Sequence, residues 1–257
     1  MVRVTNGPPA TPVSGVAVDL AVDAEYGSIS PVRVETDSAG RAAATFRPGT
    51  RSGTATITAT VALNTSLNDS VDLHIDHTDP YAVATLSYNP EVTVGETTDI
   101  VIRMVDKYGN VVDSRQEDAV GSDPEKVFFM VGSPAAFSLA SGSRTRELSV
   151  PVDAAGNVTA TLWVGKVAGE NLVSIYPPAP IVRDMISITG VGGLPADIKC
   201  SVSDISVPAD GENTISFNYM LLDEYGNPTA GQGLWVNSSG LYSQQELIYS
   251  SFSGEVY

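Results

Sequence analysis

The chain has 257 residues, of which 14 are basic and 30 acidic, so its formal net charge is −16 at neutral pH. This charge disfavours nucleic acids and anionic membrane surfaces as partners, because both are bound through clustered lysine and arginine. The length leaves room for about two domains, and the 23 glycines and 16 prolines suit a globular protein with many turns.

The N-terminal residues lack the charged segment and apolar core that mark a signal peptide. No stretch reaches the length of a transmembrane helix, so we expect no membrane insertion by this segment. The single cysteine, Cys200, excludes an intrachain disulfide. Because Cys200 shares one face of a predicted strand with Ile198 and Val202, the pattern predicts a buried, unreactive thiol.

Two stretches of the chain repeat each other without a gap. TDSAGRAAATFRPGTRSGTATITA begins at Thr36, and VDAAGNVTATLWVGKVAGENLVSI begins at Val152. Each copy opens with an Asp-x-x-Gly turn, at Asp37 and at Asp153, which gives a spacing of 116 residues (153 − 37). A repeat of this length has the size of a single domain.

A second motif, Asp-x-Tyr-Gly-Asn, follows an alternating apolar stretch at Asp106 and recurs 117 residues later (223 − 106) at Asp223. The alternation predicts a strand before each turn. The glycine of each copy can adopt the positive φ that a tight turn needs, so we interpret the motif as structural. The predicted turn residues are Asp106, Gly109, Asn110, Asp223, Gly226 and Asn227.

Short alternating strands separated by turns continue along the chain, and no window of a dozen residues keeps a helical period. This pattern predicts an all-β fold built of two-sheet β-sandwiches. No motif of a hydrolase, a zinc protease or a phosphate-binding loop occurs, so we expect no enzymatic activity and no cofactor.

The motifs together resemble the bacterial Ig-like group 1 domain. The resemblance rests on DEYGNP from Asp223, TDSAGRA from Thr36 and GTATITA from Gly53, and it covers most of the chain when the repeats are read together. This family occurs in invasin- and intimin-type adhesins and in archaeal surface proteins. The resemblance implies tandem Ig-like β-sandwich domains in an extended rod, located outside the cell or at its surface.

Aligned on the repeat, the chain divides into three Ig-like domains with incomplete terminal units. Residues 1–79 form a partial domain without its first strands, residues 80–195 a complete domain, and residues 196–257 the N-terminal part of a third. One interpretation is strand complementation, in which residues 196–257 pair with residues 1–79 of a neighbouring copy. The other interpretation, which the pattern favours, is that the chain is an excised piece of a longer array.

The resemblance implies a non-enzymatic extracellular structural protein, acting as a stalk, an envelope component or a filament subunit. The central unit departs from the family pattern through a charged insertion near residues 114–126. The alternative function is therefore an adhesin that binds a receptor or a glycan through this insertion. An accessory region of a hydrolase is a third interpretation.

Carboxylates and imidazoles concentrate between the first two predicted domains. Asp72, His74 and Asp76 alternate on one face of a predicted strand, with His77 and Asp79 just beyond. Such mixed ligands could hold a divalent ion, although a solvated outer face explains the same residues. We name Asp72, His74, Asp76 and Asp79 as candidate metal ligands.

Two further kinds of site are open to prediction. Calcium at a domain junction would use oxygen ligands from Asp76, Asp79 or Asp106, although no loop has a recognised calcium spacing. Glycosylation of an exported protein would use Asn-x-Ser/Thr acceptors. The candidate acceptors are Asn64, Asn68, Asn157 and Asn237.

Overall fold

The computed structural model describes residues 1–6, 11–114, 125–237, 245–251 and 255–256. These residues form 25 β-strands, and no helix occurs among them. Every strand pairing lies within one of three consecutive sets of strands, which we call the N-terminal, central and C-terminal sets. No helix long and apolar enough to cross a membrane is found in the described part of the chain.

The central set contains ten strands in two five-stranded sheets, in the orders β11-β13-β18-β15-β16 and β12-β20-β19-β14-β17. The strands are antiparallel except for the parallel pair β12 and β20. Their bounds are β11 Pro80–Ser87, β12 Glu91–Thr93, β13 Thr97–Asp106, β14 Lys126–Val131, β15 Ala136–Ser138, β16 Arg144–Thr145, β17 Glu147–Pro151, β18 Asn157–Trp163, β19 Gly169–Tyr176 and β20 Asp184–Val191.

The two central sheets face each other across one apolar core. In β13, Ile100, Ile102 and Met104 are each at most 1% exposed, which confirms the alternation expected from the sequence. Phe129 of β14 meets Phe137 of β15 edge-on, with ring centroids 5.8 Å apart. Burying a side chain of this size stabilises a fold by about 1.5–3 kcal/mol, so the core favours this packing of the sheets strongly.

The N-terminal set repeats part of this arrangement. Its main sheet has the order β10-β9-β4-β6, and it also contains the pairs β1-β7, β2-β3 and β5-β8. The strands β9 and β10 begin 116 residues before β19 and β20 (169 − 53 and 184 − 68), and both pairs are antiparallel. The bounds are β1 Val2–Arg3, β2 Thr5–Asn6, β3 Thr11–Pro12, β4 Ala17–Ala21, β5 Gly27–Ser30, β6 Arg33–Glu35, β7 Arg41–Ala42, β8 Thr45–Pro48, β9 Gly53–Val61 and β10 Asn68–Ile75.

The C-terminal set has the sheet β21-β22-β25 and the hairpin β23-β24. The prediction of a buried thiol is wrong, because Cys200 is exposed. All six residues of β21 are exposed. The alternation of apolar residues therefore identified one face of this strand, but it did not show whether a second sheet packs on that face. The bounds are β21 Asp197–Val202, β22 Phe217–Leu222, β23 Gly233–Asn237, β24 Gln245–Tyr249 and β25 Glu255–Val256.

Candidate functional site

Both Asp-x-Tyr-Gly-Asn segments fold as the same tight turn. At the end of β13, the amide of Gly109 donates to the carbonyl of Asp106 at 3.1 Å, and the amide of Asp106 donates to the carbonyl of Asn110 at 2.9 Å. The second copy, at Asp223, repeats both bonds at 3.1 and 2.9 Å. Gly109 and Gly226 have φ of 88° and 85°, where a Cβ atom would be strained, so glycine is required there.

The carboxylate of Asp106 joins this turn to the linker that precedes β11. One oxygen accepts the amides of Tyr108 and Asn110, both at 2.9 Å. The other accepts the side-chain amide of Asn110 at 2.9 Å and, from the linker, the amide and hydroxyl of Thr78 at 3.0 and 3.2 Å. Burial alone would raise the pKa of Asp106, but these donors outweigh it and hold the pKa at about 2.

Asp223 occupies the same position at the next linker. Its carboxylate accepts the amides of Tyr225 at 2.9 Å and Asn227 at 2.8 Å, and it accepts the linker amide of Gly193 at 3.2 Å. Burial opposes ionisation here too, yet the Asn227 and backbone donors lower the pKa of Asp223. Both aspartates are therefore ionised hydrogen-bond acceptors that tie a linker to a turn.

The asparagine that ends the first turn contacts the preceding set of strands. The Oδ1 atom of Asn110 accepts the amide of Ser52 at 2.8 Å, and its Nδ2 atom donates to the carbonyl of Thr50 at 2.8 Å. Ser52 and Thr50 lie in the loop before β9, in the N-terminal set. We define the first junction as residues 76–79 and their contacts. The side-chain amide of Asn110 thus bonds two backbone groups across this junction.

The second junction, residues 192–196 and their contacts, repeats this arrangement. Asn227 accepts the amide of Ala168 at 2.8 Å through Oδ1 and donates to the carbonyl of Lys166 at 2.9 Å through Nδ2. These partners lie 116 residues after Ser52 and Thr50 (168 − 52 and 166 − 50). We call each set of contacts an asparagine clamp. The sequence predicted the turns, but no sequence signal indicated their contacts across a junction.

The two junctions differ in the residue beside the clamp. His77 precedes the Thr78 that bonds Asp106, and its side chain is 2% exposed. Gly192 precedes the Gly193 that bonds Asp223, and a Cβ atom on Gly192 would lie 2.0 Å from the carbonyl oxygen of Pro228. An imidazole therefore fills the first junction, whereas the backbones touch directly at the second.

The structure does not bring together the four residues predicted as metal ligands. Asp72 accepts the hydroxyl of Thr56 at 2.7 Å and is not among the residues whose ligand atoms converge at the first junction. His74 and Asp76 line one pocket at the first junction, and neither Asp72 nor Asp79 lines it. Asp106 is a poor calcium ligand, because both its oxygens accept protein donors.

The remaining predicted sites fall on different kinds of surface. Asn64 and Asn68 are exposed in and beside the turn between β9 and β10, whereas Asn157 is partly buried at the start of β18. Asn237 is exposed at the end of β23, but the serines of its acceptor sequence lie outside the described residues. Most of the insertion predicted as an adhesive loop, residues 115–124, lies outside them as well.

Solved structures of two bacterial proteins have a similar fold. The Escherichia coli adhesin FdeC matches 97% of this chain and 78% of its own at a TM-score of 0.64 and 16% identity. InvD of Yersinia pseudotuberculosis matches 93% of this chain and 70% of its own at a TM-score of 0.50 and 18% identity.

The fold is that of bacterial Ig-like proteins. Invasin, a bacterial integrin-binding protein, also matches 97% of this chain and 50% of its own, at a TM-score of 0.44 and 17% identity. No protein-family model matches the chain, and no curated protein matches it by sequence. The likeness to FdeC and InvD thus lies in structure, and it confirms the resemblance drawn from the turn motifs.

Proposed function

We propose that this protein is a non-enzymatic structural component of a cell surface, in which tandem Ig-like domains act as a spacer. The domains correspond to residues 1–79, 80–195 and 196–257. The asparagine clamp carries the proposal, because the same side chain makes the same pair of bonds at both junctions. A repeated junction gives each pair of consecutive domains the same relative orientation, which suits a protein that extends in one direction over several domains.

The chemistry of the repeated acidic residues supports a structural role over a catalytic one. Asp106 and Asp223 are 2% and 4% exposed, and both accept several protein N–H donors. A catalytic carboxylate must reach a substrate or a water molecule. The structural neighbour FdeC, described as an adhesin, supports a location outside the cell or at its surface.

The alternative function is adhesion, with residues 114–126 contacting a receptor or glycan. It is favoured by the description of FdeC as an adhesin and by the insertion itself, which the other repeat units lack. Pairing of residues 196–257 with residues 1–79 of another copy is a separate hypothesis. Phe217 and Ile198 on β22 and β21 are 53% and 45% exposed, which leaves apolar surface for such pairing.

Deletion of residues 114–125 separates the spacer from the adhesin. We expect the purified chain not to bind a glycan array or cultured epithelial cells, and the deletion to leave its unfolding temperature within a few degrees of the parent. A variant with a glycine–serine loop of equal length controls for loop closure. Binding by the parent that both variants lose would establish the adhesin and contradict the spacer.

A further inference from the structure

A polar pocket at the first junction contains both histidines of the chain. Only two histidines occur in 257 residues, and His74 and His77 both line this pocket together with Asp76 and Asp113. His74 and Asp76 reach it from the same side of the chain at the end of β10, because side chains two residues apart in an extended segment point the same way. Asp113 reaches it from the loop after the Asp106 turn.

Three of these side chains converge. The donor atoms of Asp76, His77 and Asp113 all lie within 4.8 Å of one another, and Nε2 of His77 lies 3.8 Å from a carboxylate oxygen of Asp76. We propose that the first junction binds a divalent transition-metal ion of the Zn²⁺ class, with Asp76, His77 and Asp113 as ligands and His74 as the fourth donor. Imidazole nitrogen and carboxylate oxygen in a four-ligand set suit Zn²⁺ and related ions.

Hydrogen bonds orient two of the ligands. Nδ1 of His77 lies 2.8 Å from the carbonyl of Thr78 and donates to it, so Nε2 is the atom presented to the carboxylates. Metal-binding histidines are commonly held through the second ring nitrogen in this way. The carboxylate of Asp76 accepts the amide of His77 at 2.8 Å, which holds it beside the ring.

Metal binding would change one contact at this ring. Nε2 of His77 lies 3.1 Å from the carbonyl of Asp113, and coordination would replace that contact. Imidazole coordinates a metal ion only in its neutral form, so the affinity of the site for the ion should fall as the pH falls.

The second junction shows that the clamp forms without these donors. The linker residue that bonds the turn aspartate is Thr78 at the first junction and Gly193 at the second. The two residues before it are Asp76 and His77 at the first junction, and Val191 and Gly192 at the second. Ala230 stands where the first has Asp113, since Val112 and Thr229 make equivalent backbone bonds. The turn and clamp therefore do not account for the imidazole and carboxylates at the first junction.

An ion held there would link three parts of the chain. His74 belongs to β10 of the N-terminal set, Asp76 and His77 belong to the linker, and Asp113 belongs to the central set. The coordinate bonds to the ion would act in addition to the hydrogen bonds of the Asn110 clamp. They would stiffen the first junction but not the second. This consequence is independent of whether the protein is a spacer or an adhesin.

The test is titration of Zn²⁺ into the metal-free chain of 257 residues, followed by calorimetry and by NMR of the histidine rings. The Cys200→Ser background is used throughout, because the exposed thiol could bind Zn²⁺ itself. We expect one equivalent to bind with shifts in both rings. His77→Gln and Asp113→Asn should each weaken binding by about 100-fold or more, and His74→Ala by about tenfold.

Asp72→Asn is the matched control, since Asp72 lies on the same strand as His74 but outside the pocket. It should leave Zn²⁺ affinity unchanged. Circular dichroism of each variant without metal checks that folding is intact. Absence of binding, binding that His77→Gln and Asp113→Asn leave intact, or histidine rings that respond to pH but not to Zn²⁺ would each overturn the proposal.

Discussion

Replacing Asp106 with alanine should lower the free energy of unfolding of the central sandwich by about 3 kcal/mol. Asp106 is 2% exposed, and its carboxylate accepts hydrogen bonds from Thr78, Tyr108 and Asn110. Each buried donor left without an acceptor costs about 1–3 kcal/mol, although turn amides recover part of this through water. Native-state hydrogen exchange of amides in β13 and β18 measures the loss.

Asp106→Asn separates the charge from the shape of the side chain. The pKa of Asp106 is about 2 in the folded protein and about 3.9 in an unfolded chain, so its ionised form stabilises the fold above about pH 4. That stabilisation, about 2 kcal/mol, is lost as the pH falls through 2, and the Asp106→Asn variant should lack this part of the pH dependence. An Asp106→Ala variant within about 0.5 kcal/mol of the parent would show that water replaces the carboxylate.

Gly192→Ala should open the second junction while the central sandwich stays folded. Its Cβ atom would lie 2.0 Å from the carbonyl oxygen of Pro228, a backbone atom that cannot rotate away. Overpacking of this kind costs about 1–3 kcal/mol, so protection of the Ala168 amide, which donates to Asn227, should fall by about 10- to 100-fold. Hydrogen exchange followed by NMR reads this amide directly.

Two controls lie within the same chain. A Cβ atom on Gly193 would meet nothing closer than 3.4 Å, so Gly193→Ala should leave Ala168 protected. The amide of Ser52 reports the first junction through Asn110 and should be unchanged in both variants. Equal loss of protection at Ser52 and Ala168 would mean that the substitution unfolds more than one junction.

The local features of this fold could be predicted because they depend on neighbouring residues. Alternation identified the buried face of β13, and the Asp-x-Tyr-Gly-Asn motif identified Gly109 as a site of positive φ. Each of these depends on residues within one strand or one turn. The repeat indicated a recurring structural unit, since β19 and β20 form an antiparallel pair as β9 and β10 do, 116 residues later (169 − 53).

The contacts between units could not be predicted in this way. Asn110 bonds Thr50, which lies 60 residues earlier, and no local pattern specifies such a partner. Alternation likewise placed Cys200 on a strand face without showing whether another layer covers it. At the first junction, alternation placed His74 and Asp76 on one strand face. Asp113 is distant from them in sequence, and only the folding of the chain brings it to the same pocket.

We expect the asparagine clamps to hold consecutive units in one orientation. The most direct measurement is the distance distribution between spin labels on Cys200 of β21 and on Thr159→Cys of β18, both exposed positions on opposite sides of the second junction. We predict one narrow distance peak in the otherwise unsubstituted chain, which Asn227→Ala broadens. A broad or multiply peaked distribution in the chain with its clamp intact would contradict the account.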